Sequence, residues 1–333
     1  MPSALPLRAA LKQGALVTAA NWPVVLVEFA LWALYELAVG VPVVGGAFMV
    51  AVLLGFNVDG LLGQGVRETA DLIIGALSAA PVALAAFLAA LGVVAAGGLI
   101  LIFVVKAGTL AVLVSGERAM SDLHKLPVHV ATVRRATSWS LGTVYAGTRR
   151  FGGRAAALAA WLSVAYLAIG AATLGAITLA LAADSAWAGV WPVFVAIATS
   201  AGVLAVTAAN LLFDLARIIV VTDDCRLGEA FGRMRRFVIG DARQVLGIFA
   251  VTGVILALAA AAWLVATANV ALVGFVPVAG LLVAPLQAAV WIVRGLLFQF
   301  MGLATLSAYQ TQYRRFSAPL LVARPASFEG HRA

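Results

Sequence analysis

Arg294 stands in VWIVRGLLFQF (290–300), a run of branched and aromatic apolar residues whose nearest charged neighbours in sequence are Arg243 and Arg314. A guanidinium at the centre of a bilayer costs about 2.5–3.5 kcal/mol even on insertion scales, so a carboxylate partner is expected. Few are on offer. Glu28, Trp32 and Glu36 follow one another at four-residue steps, a single polar stripe on an otherwise apolar helix. Asp214 and Arg217, three residues apart, can pair within their own helix. Lys106, Asn210 and Gln287 complete the set of polar groups set among apolar runs. Matching depth along the helices pairs Glu36 with Arg294, with Gln287 close by, and places Glu28 near Lys106. Such groups either staple helices together or line a path for a solute or proton.

The elements that hold these groups follow from where charge is missing. No charged residue occurs over 72–105, 155–183, 185–213 or 244–293. A spanning helix needs about 20 apolar residues. The last run is long enough for two, and VGFVPVAG (273–280) marks the turn between them. Six spans are expected, over about 21–41, 82–105, 155–182, 191–220, 245–270 and 278–306. They make an all-α, polytopic membrane bundle of three hairpins, over about 21–114, 155–221 and 245–310, in a single integral domain covering 1–333. Only 11% of the residues are charged and 64% are hydrophobic, a balance that a water-soluble fold of this size cannot bury. VVGGAFMVAVLLGF (43–56) is too short to cross comfortably and reads as a re-entrant or interfacial piece. Leu62, Val66, Ala70, Ile73 and Leu77 then recur at helical spacing opposite Gln64, Arg67, Glu68 and Asp71, the pattern of an amphipathic surface helix.

Eighteen of the 22 lysines and arginines fall in the two termini and in the basic connectors 115–154 and 222–243. The opposite loops hold only Arg67. By the positive-inside rule both termini face the cytoplasm, and an even number of spans agrees. The N-terminus has no small-residue cleavage pattern, so the first apolar segment is expected to stay in place. In the connectors, Arg134, Arg135, Arg149 and Arg150, and then Arg226, Arg233, Arg235 and Arg236, alternate with aromatic residues directly beside spans. That placement suits anionic lipid head groups better than nucleic acid. Asp224 reads as an N-cap for a helix carrying Leu227, Phe231, Met234 and Phe237 on one face.

Catalytic signatures are missing. The chain has no GxxxxGK, HExxH or GxSxG motif. His124, His129 and His331 lie outside the spans, which argues against a haem or chlorophyll held by histidine. The acids of DDCRLGE (223–229) could tempt a reader toward magnesium, but helix capping explains the aspartates more simply. No metal and no cofactor are expected. GDAR (240–243) and FDLAR (213–217) lack the paired downstream aspartates that membrane lipid-synthase chemistry needs, so no enzyme is expected either. Cys225 is the single cysteine, which excludes an intrachain disulfide.

NLLFDLARIIVVTDDCRLGEAFGRMRRF (210–237) and, less fully, LILIFVVKAGTLAVLVSGERAM (99–120) resemble a group of uncharacterised bacterial six-helix integral membrane proteins. That group includes chains similar to the membrane domain of bacterial glycerophosphodiesterases. The resemblance implies a bacterial inner-membrane protein and, with no phosphodiesterase domain in the sequence, no hydrolase activity. Two functions are compatible with these residues. One is a non-enzymatic scaffold or accessory subunit whose partners are membrane lipids and other membrane protein subunits. The other is a transporter or permease for a small solute or lipid that uses the charged residues within the spans.

Overall fold

The computed structural model describes residues 5–53, 81–119, 130–182, 190–273 and 280–322. Among them the regular elements are helices: α1 (Leu7–Ala20), α2 (Pro23–Leu53), α3 (Pro81–Ala119), α4 (Val130–Arg135), α5 (Leu141–Ala182), α6 (Trp191–Asp223), α7 (Leu227–Gly240), α8 (Ala242–Val273) and α9 (Gly280–Val322). Six are long and apolar enough to cross a membrane, with candidate spans Pro23–Val43, Ala85–Ala119, Leu141–Leu179, Pro192–Asp223, Ala242–Asn269 and Pro285–Ala318. The protein is therefore an all-α, multi-pass membrane protein. Hydrocarbon offers no water to backbone N–H and C=O groups, so spanning segments must satisfy them internally as helices. The outer faces agree: Leu167, Leu174, Val203, Leu204, Leu258 and Leu264 are all exposed, as suits side chains solvated by lipid. The surface helix expected over 62–77, together with His124, His129 and most of the turn at 273–280, lies outside the described residues.

Helix ends depart from the sequence expectation in one direction: the helices are longer. The piece expected to be separate over 43–56 is, as far as Leu53, a continuation of α2, which carries Pro42 inside it. Proline in a spanning helix is tolerated where neighbours re-satisfy the freed backbone carbonyl. The basic stretch 141–154, expected as part of a connector, is the first third of α5. Likewise α9 runs to Val322 rather than stopping near 306. Charge ends an apolar window without ending a helix, because arginine and lysine are good helix formers.

The chain groups into two compact units, one of Met1–Phe29 with Phe103–Ala333 and one of Ala30–Ile102. In the second unit, Gly98 of α3 lies under the Tyr35 ring of α2, where a Cβ would come within 2.5 Å of the ring. Trp32 stacks 5.5 Å from Tyr35 and donates its Nε1 proton to Glu36 Oε1 at 2.8 Å.

The first unit holds an element that hydropathy missed. The 14-residue α1 is too short to span, yet Ala10, Gln13, Gly14, Val17 and Thr18 are buried on one of its faces. It packs chiefly on α9 and also touches α4 and α8. Its contact face repeats small residues at four-residue steps, Ala10, Gly14 and Thr18, and meets Ala304 and Ala308 of α9. Small residues let two helix backbones approach closely, which compensates for the weak hydrophobic drive between helices in lipid. Asn21 closes the turn into α2. Its Nδ2 donates to the Val17 and Ala136 carbonyls at 3.0 and 3.1 Å, and its Oδ1 accepts from the Ser138 backbone N–H at 2.8 Å. A fully buried amide is thereby satisfied at both ends. Gly108 of α3 and Gly147 of α5 meet in the same manner, backbone against backbone.

Candidate functional site: a polar chamber within the spans

A chamber of about 290 Å³ opens among α2, α3, α6, α8 and α9. That is just below the usual range of small-molecule sites, roughly 300–1,000 Å³. Its polar lining comes from all five helices. Glu28 arrives from α2 and Lys106 from α3; α6 contributes Thr207, Asn210 and Asp214. Thr252 comes from α8, and Gln299, Thr305 and Tyr309 come from α9. Leu211, Phe249, Leu256, Leu303 and Leu306, with Gly253 and Gly302, form the apolar remainder of the wall. At 1.5 Å per residue, Asp214 lies roughly 14 Å along α6 from Asp223, and Thr207 roughly 24 Å. All of these lining residues fall within the candidate spans, where polar groups are costly.

Glu28 is the most enclosed of these groups, with only 1% of its side chain exposed. Oε1 accepts a hydrogen bond of 2.6 Å from Thr109. Oε2 is buried without a hydrogen-bond partner, and Lys106 Nζ stands 3.8 Å away. That separation is an ion pair by distance but too long for a hydrogen bond. Asp214 accepts from Arg217 Nη2 at 2.6 Å. Behind it Arg217 is 1% exposed and lies 5.0 Å over the Phe103 ring. Asn210 accepts from the Tyr166 hydroxyl, Thr305 donates to Thr252 at 3.3 Å, and Tyr309 donates to the Val245 carbonyl at 3.2 Å.

Of the residues singled out in the sequence, Glu28, Lys106, Asn210 and Asp214 meet at this chamber, with Arg217 directly behind Asp214. Gln287 is exposed on α9. Arg294 is also exposed, and its guanidinium lies 5.8 Å over the Phe298 ring one turn along its own helix. Glu36, expected as its partner, belongs to the other compact unit and is bonded to Trp32. Reasoning from charge overlooked Thr109, Thr252, Gln299, Thr305 and Tyr309, since hydroxyls and amides leave no mark in a charge scan. Their signal was present as isolated hydroxyl and amide side chains within spans rich in alanine and leucine.

A second group of polar residues gathers where the helices end at Ala119, Leu141, Asp223 and Ala242. Asp223 accepts from Arg233 at 2.6 Å and from the Tyr313 hydroxyl, and Arg233 also lies 3.6 Å from Glu229. Asp224 takes Arg150 and Arg154, whose guanidinium groups hold its carboxyl below the usual carboxylate range. Glu117, nearly fully buried, pairs with Arg314, and Gln312 donates to Asp241 at 2.6 Å. The acids of 223–229 thus serve arginines. Asp224 is not the N-cap of α7: it closes α6 in the left-handed conformation (φ 51°, ψ 40°), and Arg226 precedes α7 with no side-chain cap. Two arginines outcompete a helix N-terminus for one carboxylate, and aspartate tolerates that backbone better than most residues.

α7 is one-sided, as its sequence suggested, but its apolar face is not free for lipid. Ala230, Met234 and Phe237 are buried, and the Phe237 ring lies 5.4 Å from both Tyr313 and Phe316 of α9. Arg226, Arg235 and Arg236 remain exposed, as do Arg134, Arg135 and Arg149, whereas Arg150 and Arg233 are held by acids. Beside them Cys225 is buried, and that burial pushes its thiol pKa up. Because the thiolate is the reactive form, Cys225 should resist maleimide at neutral pH in the folded protein and react rapidly once denaturant is added. Equal labelling rates in the two states would contradict its packing.

No family model, curated protein or solved structure matches the chain.

Proposed function

We propose that this is a non-enzymatic membrane carrier that binds a small solute in the chamber, with both termini cytoplasmic and its arginine-rich helix ends against anionic head groups. The chamber is the observation that supports the reading. Two carboxylates, an ammonium, two amides and several hydroxyls from five helices converge on one cavity and leave Glu28 Oε2 without a hydrogen-bond partner, which a simple staple between helices does not require. A mainly apolar wall on which a few polar groups converge is the usual composition of a small-molecule site. Polar side chains held at membrane depth by lipid-exposed helices are the usual mark of a solute or ion path.

Access from each side of the membrane tests this without knowledge of the solute. Thr252→Cys, in a chain whose Cys225 is replaced by alanine, is reconstituted in vesicles and exposed to a small, membrane-impermeant thiol reagent. A carrier opens its site to each side in turn, so the reagent should label the cysteine from either side. Gly302→Phe in the same chain should block labelling, because Gly302 lines the chamber and faces open space, so the new ring fills the void without striking a neighbouring backbone. Labelling from one side only, or from neither, returns the protein to the scaffold reading.

The exposed arginines carry the lipid part of the proposal. Each basic residue near an anionic surface contributes about 1 kcal/mol, screened by salt. Arg235→Gln with Arg236→Gln should leave the fold intact, since neither residue is buried, and should weaken retention of anionic lipid during purification. Unchanged lipid content, measured by mass spectrometry of the extracted lipid, would remove this role from α7.

A further inference from the structure

We infer that the chamber takes an organic ammonium, a small amine carrying an apolar body, with Glu28 Oε2 as its anchor. This rests on the reading of the chamber as a solute site. A buried carboxylate oxygen without a hydrogen bond is costly, and only a donor can relieve it. Glu28 lines the chamber while its other oxygen is already committed to Thr109, so Oε2 is the position where a ligand proton gains most. Lys106 does not supply that proton: it stands off at 3.8 Å and is itself a quarter exposed. It acts as a loosely held counter-ion that an incoming ammonium can displace.

The pairing of the charges selects the ligand class. Asp214 reaches the wall with its charge already met by Arg217 at 2.6 Å, whereas Glu28 and Lys106 face each other at 3.8 Å, beyond hydrogen-bond length. An ammonium can displace Lys106 and give Glu28 Oε2 a hydrogen-bonded ion pair, whereas an anion at that oxygen meets a carboxylate with no proton to donate. The rest of the wall selects the body. Phe249, Leu256, Leu303 and Leu306 offer an aromatic ring and three branched chains, which favour an alkyl or aryl group over a bare, strongly hydrated metal ion.

The test uses the full chain in lipid nanodiscs, with calorimetric titration of three ring compounds of matched size: benzylamine, benzyl alcohol and benzoate. Benzylamine should bind and the other two should not. Glu28→Gln keeps the shape of the side chain and its bond to Thr109 but removes the charge, and it should weaken benzylamine by roughly tenfold or more. Lys106→Met should do the opposite and strengthen benzylamine, because the displaced counter-ion is gone. This second variant separates the proposal from a folding defect, which could only weaken binding. Benzoate binding in place of benzylamine would overturn the ligand class while leaving the solute site standing. Binding of none of the three would remove both. Benzylamine binding that is unchanged in Glu28→Gln would place the amine elsewhere and overturn the inference.

Discussion

Replacing Gly14 with alanine should destabilise the protein by about 1–3 kcal/mol, the usual range for forcing extra atoms into a packed interface, and replacing it with leucine should cost more. A Cβ at this position would lie 2.7 Å from the Ala308 backbone nitrogen and closer still to the Ala304 carbonyl oxygen. Those are backbone atoms of α9, so no rotamer change can relieve the overlap. Either α1 moves away or α9 bends. Detachment of α1 is the expected outcome, because Asn21 and the turn it holds then lose their register with 136–138. The measurement is the midpoint of thermal unfolding in detergent together with protease cleavage within 7–20. Gly153→Ala is the matched control: it lies inside α5, three turns from its start, with nothing within 4 Å of a new Cβ. There, alanine should be neutral or stabilise by about 0.5–1 kcal/mol through helix propensity alone. If Gly14→Ala behaves like Gly153→Ala, the close crossing of α1 and α9 is not what holds the N-terminal helix.

The contrast between α1 and the spans shows what a sequence of this kind discloses. Lipid makes the spanning helices legible, since a charge-free run of 25 or more residues in water-facing surroundings has no stable solution, and the run length gives the span directly. Helix ends were less legible, as α5 shows: Arg149, Arg150 and Arg154 interrupt the apolar pattern while the helix continues through them. α1 was hidden for a different reason. Its buried face sets glutamine, glycine and threonine beside Ala10 and Val17, and the three polar or small residues break the hydrophobic periodicity. The relevant signal is small residues at four-residue steps, which reports helix contact rather than burial in oil.

The candidate site divides along similar lines. Glu28, Lys106, Asp214 and Arg217 stood out because charge is rare in the spans, and two pairings, Glu28 near Lys106 and Asp214 with Arg217, follow from depth and helical spacing alone. Which groups line one chamber did not follow, because that depends on how five helices pack. Asp224 illustrates the same limit. Its local sequence suits an N-cap, but the arginines that claim it lie some 70 residues earlier, on α5. Tertiary partners of that kind override a local preference worth about 1 kcal/mol.

Among the described residues Asp214 and Arg217 make the most asymmetric ion pair, and that asymmetry predicts a large effect of a single substitution. Arg217 is 1% exposed and its Nε and Nη1 have no hydrogen-bond partner, so among the described residues Asp214 is its one carboxylate support. Asp214 is 36% exposed and faces the chamber, where water can reach it. Removing the acid therefore strands a fully enclosed guanidinium, whereas removing the base leaves a carboxylate that is still hydrated. Asp214→Ala should cost about 3–5 kcal/mol, the range for breaking a buried pair from one side. Arg217→Met keeps much of the volume against Phe103 and should cost about 1–2 kcal/mol, close to an ordinary core change. The double variant Asp214→Ala with Arg217→Met should then be more stable than Asp214→Ala alone, since the stranded charge is gone. Denaturant titration of the three chains in mixed micelles gives the order. A cost for Arg217→Met above that for Asp214→Ala, or a double variant no better than the acid-less single, would mean that the enclosed guanidinium is not the group that depends on the pair.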